Sequence, residues 1–268
     1  MRFASLGSGS EGNALLIETR EGHSVFRILI DCGFRRKEAE KRLRSAGIEP
    51  GSLSGILVTH EHSDHVGGVF RLSAAYSVPV FMTHGTLLGA GGFVDEDRVF
   101  GGEAEGLDIR LIEPDRVFNI GAMQITPVAV PHDAREPVQY VINDGRAKLG
   151  VLTDIGHGTA HVQRSYSGLD ALVIECNHDP GMLAGNTRYP EMLKRRISGP
   201  WGHLANDAAR EILSGLDQTR LRRIAAAHLS RQNNTSELAR AALAAASGSS
   251  VDDIAVADQD SGLNWIEI

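Results

Sequence analysis

The chain has little cysteine, few aromatics and no surplus of positive charge, and each shortage removes a class of protein. Two cysteines, Cys32 and Cys176, occur in 268 residues, too few for a disulfide scaffold or a Cys-rich zinc site. Aromatic residues make up 5% of the chain, which excludes a broad base-stacking platform. Acidic side chains number 34 against 27 basic ones, giving a net charge of −7. No global basic field therefore draws the protein to nucleic acid or acidic lipid, and only a local basic patch could do so. No apolar run reaches signal-peptide length or approaches the ~18 residues of a membrane span. The expected location is the cytoplasm, with no membrane partner. What is present is ordinary for a globular protein: 42% hydrophobic residues, enough to bury a core without covalent staples. No linker, charge block or internal repeat divides the chain, so residues 1–268 are read as one domain.

Short apolar runs alternate with turns and helical patterns. Residues 14–18 and 24–31 form a strand–turn–strand signal around Arg20-Glu21-Gly22. Residues 35–46 read as a helix closed by Gly47, 53–59 as a buried strand, 66–76 as a helix and 78–82 as a strand. Strands follow at 109–112, 123–130, 138–143, 148–153 and 169–176. Helices at 190–198 and 204–216, a strand at 222–228 and an Ala-rich helix at 235–246 come next, and two strand-like stretches end the chain. Two blocks that each mix strands and helices suggest an α/β fold with two sheets packed face to face and helices outside.

Histidine is the unusual presence, with eleven in the chain. Three of them crowd into Thr59-His60-Glu61-His62-Ser63-Asp64-His65, directly after the apolar run Ile56-Leu57-Val58. A strand end delivers these side chains to one sheet edge. Imidazoles suit zinc, iron, manganese or nickel, while carboxylates hold harder ions, so the group reads as a metal site.

The His-x-His-x-Asp-His motif, and the order of the donors after it, resemble the metallo-β-lactamase superfamily of binuclear metallohydrolases. The resemblance spans essentially the whole chain and implies a four-layer αββα sandwich. His132 in Pro131-His132-Asp133, Asp154 after 149–153 and His228 after 224–227 stand at strand ends in the family's order. By resemblance, His60, His62 and His132 hold one ion, Asp64, His65 and His228 hold the other, and Asp154 bridges them. Two divalent ions, Zn or Mn, are thus expected. Seven donors exceed the four of a tetrahedral site and leave open positions for water. Such a pair of ions shares a hydroxide nucleophile and steadies both attacking and leaving oxygens.

Within the superfamily, several features resemble the nuclease branches, and together they look most like the WalJ/YycJ group of bacterial cytoplasmic nucleases. The opening Gly7-Ser8-Gly9-Ser10-Glu11-Gly12-Asn13 is a loop whose backbone N–H groups could cradle an anion, or simply a tight turn between strands. His228-Leu229-Ser230 matches a His-x-Ser arrangement, extended by Arg231 to Asn234. Glu175 after its strand, and Gly202-His203 before a helix, match a pattern in which the Glu orients a His that protonates the leaving oxygen. The group implies a 5′→3′ DNA exonuclease, with DNA favoured over RNA as substrate. The expected catalytic residues are Asp64, His203 and Glu175; the expected substrate contacts are Ser8, Ser10, Asn13, Ser230, Asn233 and Arg188. Arg188, Lys194, Arg195 and Arg196 form a local basic cluster beside Tyr189, which could stack a terminal base or anchor a helix start. The rival reading is hydrolysis of a small phosphodiester, cyclic nucleotide or thioester on the same centre.

Overall fold

The computed structural model describes residues 1–95 and 98–268. The first half of the chain builds a mixed sheet. Strands β1 (Arg2–Gly7), β2 (Ala14–Glu21) and β3 (Ser24–Ile30) run antiparallel. After helix α1 (Arg36–Ser45), β4 (Gly55–Leu57) lies parallel to β3. Helices α2 (Ser63–Val66) and α3 (Val69–Tyr76) lead to β5 (Val80–Met82), parallel to β4. Next come α4 (His84–Gly89), the ribbon of β6 (Phe93–Asp95) and β7 (Arg98–Phe100), and β8 (Ile109–Leu111), parallel to β5.

The second half repeats the plan. Strands β9 (Phe118–Ile120), β10 (Met123–Ala129), β11 (Val138–Asn143) and β12 (Lys148–Leu152) are antiparallel neighbours. Helix α5 (Ala160–Ser165) precedes β13 (Ala171–Glu175), and α6 (Pro180–Gly185), α7 (Glu191–Ile197) and α8 (Asn206–Ser214) lie between β13 and β14 (Arg223–Ala227). Helix α9 (Ser236–Ser247) leads to β15 (Ile254–Val256), and β16 (Leu263–Glu267) returns to the first sheet beside β1. The sheets are ordered β16-β1-β2-β3-β4-β5-β8 and β15-β14-β13-β12-β11-β10-β9.

Period-two alternation divides each strand between two cores. Ile28 and Ile30 of β3 enter an inner core together with Ile125, Tyr140, Val151, Val173 and Ala225 of the other sheet. Leu29 faces the opposite way, onto Leu43, Val69, Leu72 and Leu87 of α1, α3 and α4. Leu172 and Ile174 of β13 likewise turn outward to Val162, Leu213 and Leu243 of α5, α8 and α9. Three cores between four layers make this an αββα sandwich, as the sequence predicts. Each fully buried Leu or Ile stabilises it by roughly 1.5–3 kcal/mol.

Direction is what makes a site. Strands β1, β3, β4, β10, β12, β13 and β14 all point the same way within their sheets, so their C-terminal ends share an edge. In open α/β sheets that edge is where ligands bind. The two sheets are tied there: Val138 N donates to Thr59 O (3.0 Å), and the buried Tyr140 hydroxyl donates to Val58 O (2.7 Å).

Two sequence expectations change. The helix predicted over 66–76 is two helices, α2 and α3, broken at Gly67-Gly68. A Cβ on Gly68 would sit 1.9 Å from the Phe34 carbonyl oxygen, so the break lets β3's loop pass underneath. Between the strands predicted at 148–153 and 169–176, where the sequence reading places no element, lies α5, capped by the Thr159 hydroxyl, which accepts from Val162 N at 3.1 Å. Among the described residues no helix is long and apolar enough to cross a membrane.

Candidate metal centre

The site residues stand at, or in the loop or short helix following, strand ends on the shared edge. Three of them, Asp31 after β3, Asp154 after β12 and His228 after β14, adopt left-handed backbone, with φ of 62°, 52° and 55°. Non-glycine residues held so cost on the order of 1–3 kcal/mol each and gather at functional sites. The left-handed turn swings the side chain off the strand direction into the space between the sheets.

The seven residues expected to be ligands do converge there. His60 Nε2 lies 3.0 Å from His62 Nδ1, and His132 Nε2 is 3.4 Å from the same atom. On the other side, His228 Nε2 is 3.6 Å from Asp64 Oδ2, and His65 Nε2 is 3.5 Å from it. Asp154 stands between, with Oδ2 3.2 Å from His65 Nε2 and Oδ1 3.3 Å from His228 Nε2. The donor atoms of His60, His62 and His132 lie within 4.8 Å of one another, as do those of Asp64, His65 and His228 and those of His60, His65 and Asp154.

The residues fit a cation. Asp154 Oδ2 and His228 Nε2 are buried and make no hydrogen bond among the described residues. A buried polar atom left unpaired is costly, and a cation satisfies several of them at once. Burial alone would drive Asp154 towards its neutral form, but His228 and His65 hold its carboxyl well below the usual range. His60 shows the converse: burial, then the neighbouring His65, push its imidazole well below the usual range, towards the neutral, ligating form.

Neighbours that sequence reasoning missed aim the ligands. Asp31 Oδ2 lies 2.8 Å from His65 Nδ1, while its Oδ1 accepts from Thr59 N at 2.8 Å. The Thr59 hydroxyl donates to Asp31 (2.8 Å) and lies 2.9 Å from His60 Nδ1. His132 Nδ1 lies 3.1 Å from the Gly202 carbonyl, and Asn177 Nδ2 donates to the His228 carbonyl at 3.1 Å. Such partners fix ring orientation and tautomer. A carboxylate closing the apolar run of β3 was the available signal for Asp31. Asp31→Asn tests it: asparagine tolerates the left-handed backbone but presents an NH2 to groups that need an acceptor. Metal affinity is expected to fall about 10–100-fold, read by competition with a chelating dye.

His203 and Glu175, the expected acid pair, are joined: His203 Nδ1 to Glu175 Oε1 measures 2.7 Å. Glu175 is fully buried, and its Oε2 accepts from Ile155 N at 2.9 Å, in the loop after Asp154. Burial works against protonation of His203, but Glu175, with Asp154 and Asp133 behind it, lifts it to about 9 in the ion-free protein. With Nδ1 held, Nε2 is the ring nitrogen left without a partner among the described residues, and His203 lines a cleft. That cleft has a volume of about 340 Å³ and is lined by Ser10, His62, Asp64, Tyr189, Arg196 and His203, among others.

The expected substrate contacts separate. Ser10 lines the cleft. Ser8 and Asn13 are buried and brace the loop from within: Ser8 Oγ accepts from His228 N (2.8 Å), and Asn13 Oδ1 accepts from Gly9 N (2.8 Å). Asn13 N also donates to the Asp64 carbonyl at 2.8 Å. Asn233 is buried too, donating to Ser230 Oγ and accepting from Asn186. Arg188 is exposed and lines a separate groove of about 510 Å³ with Arg231 and Gln232. His178 is buried, its Nδ1 without a hydrogen bond and outside the ligand groups, and His84 is exposed at the start of α4.

A sandwich of two mixed sheets with this imidazole–carboxylate cluster at their common edge defines a metallo-β-lactamase-type centre. The family model described as the β-lactamase superfamily domain matches residues 26–226, and the chain belongs to that superfamily. Within it the chain falls in the YycJ/WalJ group. It is 34% identical over 246 residues to exodeoxyribonuclease YycJ of Bacillus anthracis, covering 90% of this chain and 86% of that one. It is 30% identical over 238 residues to exodeoxyribonuclease WalJ of Streptococcus pneumoniae, covering 89% and 85%. In structure it is similar to the metallo-β-lactamase-fold protein YhfI of Bacillus subtilis, with a TM-score of 0.73 at 14% identity over 100% of this chain and 99% of that one.

Proposed function

We propose that this chain is a 5′→3′ exodeoxyribonuclease of the cytoplasm, working with two divalent ions, Zn or Mn, within one hydrolase domain spanning residues 1–268. What carries the reading is likeness along 90% of the chain to a relative named as an exodeoxyribonuclease, supported by the clustering of imidazoles and carboxylates at the shared sheet edge. His60, His62 and His132 would hold one ion, Asp64, His65 and His228 the other, with Asp154 shared. Bound ions would supply Lewis acidity and an activated water.

The chain's own residues do the rest. Asp64 and Asp154 keep negative charge among the imidazoles. Gly202, through its carbonyl, orients His132, and Asn13, through Asp64's carbonyl, fixes the helix that carries Asp64 and His65. Gly33 lets that helix approach: a Cβ there would lie 1.8 Å from the Asp64 oxygen. His203, clamped by Glu175, holds a proton at Nε2 for the departing 3′-oxygen of DNA. Ser10 and Ser230 contact phosphate near the cleft, and Arg188 contacts the strand beyond it.

The test is incubation of 5′-phosphorylated, internally labelled duplex DNA with Mn²⁺, with Zn²⁺ and with chelator. Progressive shortening that requires a divalent ion and stops on chelation is expected. Intact DNA from protein shown to hold two ions per chain would overturn the reading. It would favour a small phosphodiester, cyclic nucleotide or thioester, for which a cleft of about 340 Å³ is already large enough.

A further inference from the structure

The large apolar side chains exposed on this protein are few, and three of them, Met192 (84% exposed), Leu193 (37%) and Trp201 (58%), fall within ten residues. They lie on α7 and the turn after it, and α7 has no buried residue. Ile197 is half-buried and Leu193 lines the cleft, but Met192 and Trp201 stand mostly in solvent and gain little stability there, so they ask for an occupant. The segment's backbone, by contrast, is tightly fastened. Asp133 N donates to the Trp201 carbonyl at 2.9 Å, and His157 Nδ1 lies 2.8 Å from the Pro200 carbonyl. A Cβ on Gly156 would sit 2.1 Å from that same Pro200 oxygen. His157, itself exposed, meets the Trp201 ring edge to face at 6.5 Å. A rigid backbone thus presents an indole to solvent.

Position and charge name the occupant. Trp201 precedes Gly202, whose carbonyl orients His132, and lies two residues, at most about 7 Å of chain, from His203. Residues 188–201 carry four cationic side chains and one acidic one, in a chain whose net charge is −7. An exposed aromatic ring next in sequence to the cleft-lining Gly202, on a cation-rich segment, is a composition that holds single-stranded nucleic acid.

We infer that Trp201 is the stacking residue for an unpaired base of the DNA strand at the cleft, with the cations of α7 steering its backbone. This deepens the exonuclease reading and rests on it. Trp201 is specific where the low aromatic content excludes a broad platform: one ring, one base. It positions the strand and takes no part in the chemistry.

Because Trp265 is the only other tryptophan, a Trp265→Phe variant reports on Trp201 alone. Titration of that variant with 5′-phosphorylated oligothymidylate in Ca²⁺ is expected to quench its fluorescence saturably. Trp201→Ala is expected to raise KM for single-stranded DNA about tenfold, Trp201→Phe to recover most of that, and both to leave hydrolysis of bis(p-nitrophenyl) phosphate unchanged. DNA degraded by Trp201→Ala with unaltered KM, or Trp201 fluorescence indifferent to DNA, would overturn the inference while the exonuclease reading stands. So would a dimer, seen by sedimentation, that Trp201→Ala breaks apart. Quenching by DNA that the unsubstituted protein never degrades would do the reverse, upholding the stacking site and removing the exonuclease.

Discussion

Replacing Asp154 with asparagine is expected to strip the protein of bound divalent ions and of hydrolytic activity together. Asp154 lies 3.2 Å from His65 and 3.3 Å from His228, and its donor atom lies within 4.8 Å of those of His60 and His65, so it joins the two sets of histidines. Its Oδ2 is buried without a hydrogen bond. Asparagine has the same size and tolerates a φ of 52°, so the backbone is preserved and only the charge goes. The remaining buried imidazoles then lose the anion that offsets a cation among them, and repulsion replaces a shared ligand. The loss is expected to exceed the roughly 10–100-fold that removal of an outer partner costs. Elemental analysis after dialysis, alongside turnover and a thermal unfolding trace, checks it. A folded Asp154→Asn protein with full metal content and normal turnover would remove Asp154 from the centre.

How much of this site can be read in the sequence depends on how far apart its members lie along the chain. His60, His62, Asp64 and His65 fall within six residues, and their chemistry is visible in the residue types alone. His132, Asp154 and His228 are single residues, and they become visible because the order of strand ends matches a family. The orienting partners are harder. Asp31 and His65 are separated by 34 positions, Asn177 and His228 by 51, and His132 and the Gly202 carbonyl by 70. A backbone carbonyl carries no sequence signal at all. Residue type also misleads about exposure. Ser8, Asn13 and Asn233 have the chemistry of phosphate contacts, yet the fold encloses them as braces for His228, Asp64 and Ser230. Trp201 shows the opposite failing: an indole reads as core, and only the fold leaves it outside. Two sheets with helices outside were legible from two blocks that each mix strands and helices, whereas the four-layer plan became legible only through the family that the histidine motif resembles. β9, with three residues, is too short to display a period, and α5 and α6, with six each, scarcely complete a turn and a half.

Removing the imidazole in His203→Ala is expected to slow DNA cleavage by about 10²–10⁴-fold while barely changing hydrolysis of bis(p-nitrophenyl) phosphate. The difference lies in the leaving group. A 3′-alkoxide of DNA is a strong base and departs only as it gains a proton, whereas p-nitrophenolate is stable without one. His203 is placed for the first case. It lines the cleft, its Nδ1 is fixed 2.7 Å from Glu175, and the Glu175 carboxylate favours the protonated ring. Glu175→Gln should follow His203→Ala in pattern with a smaller loss, since the amide keeps the ring in place but gives up the charge that favours its cationic form. Metal content is measured alongside, since Glu175 and His203 form a further potential donor group with Asp154 and His228; content at the unsubstituted level is expected, because the His60–His62–His132 and Asp64–His65–His228 groups remain complete. Equal losses on the two substrates would show that His203 shapes the ion site and donates no proton. A loss confined to DNA, reversed when the DNA leaving oxygen is replaced by sulfur in a 3′-phosphorothiolate, would fix it as the acid, since a thiolate leaves without protonation.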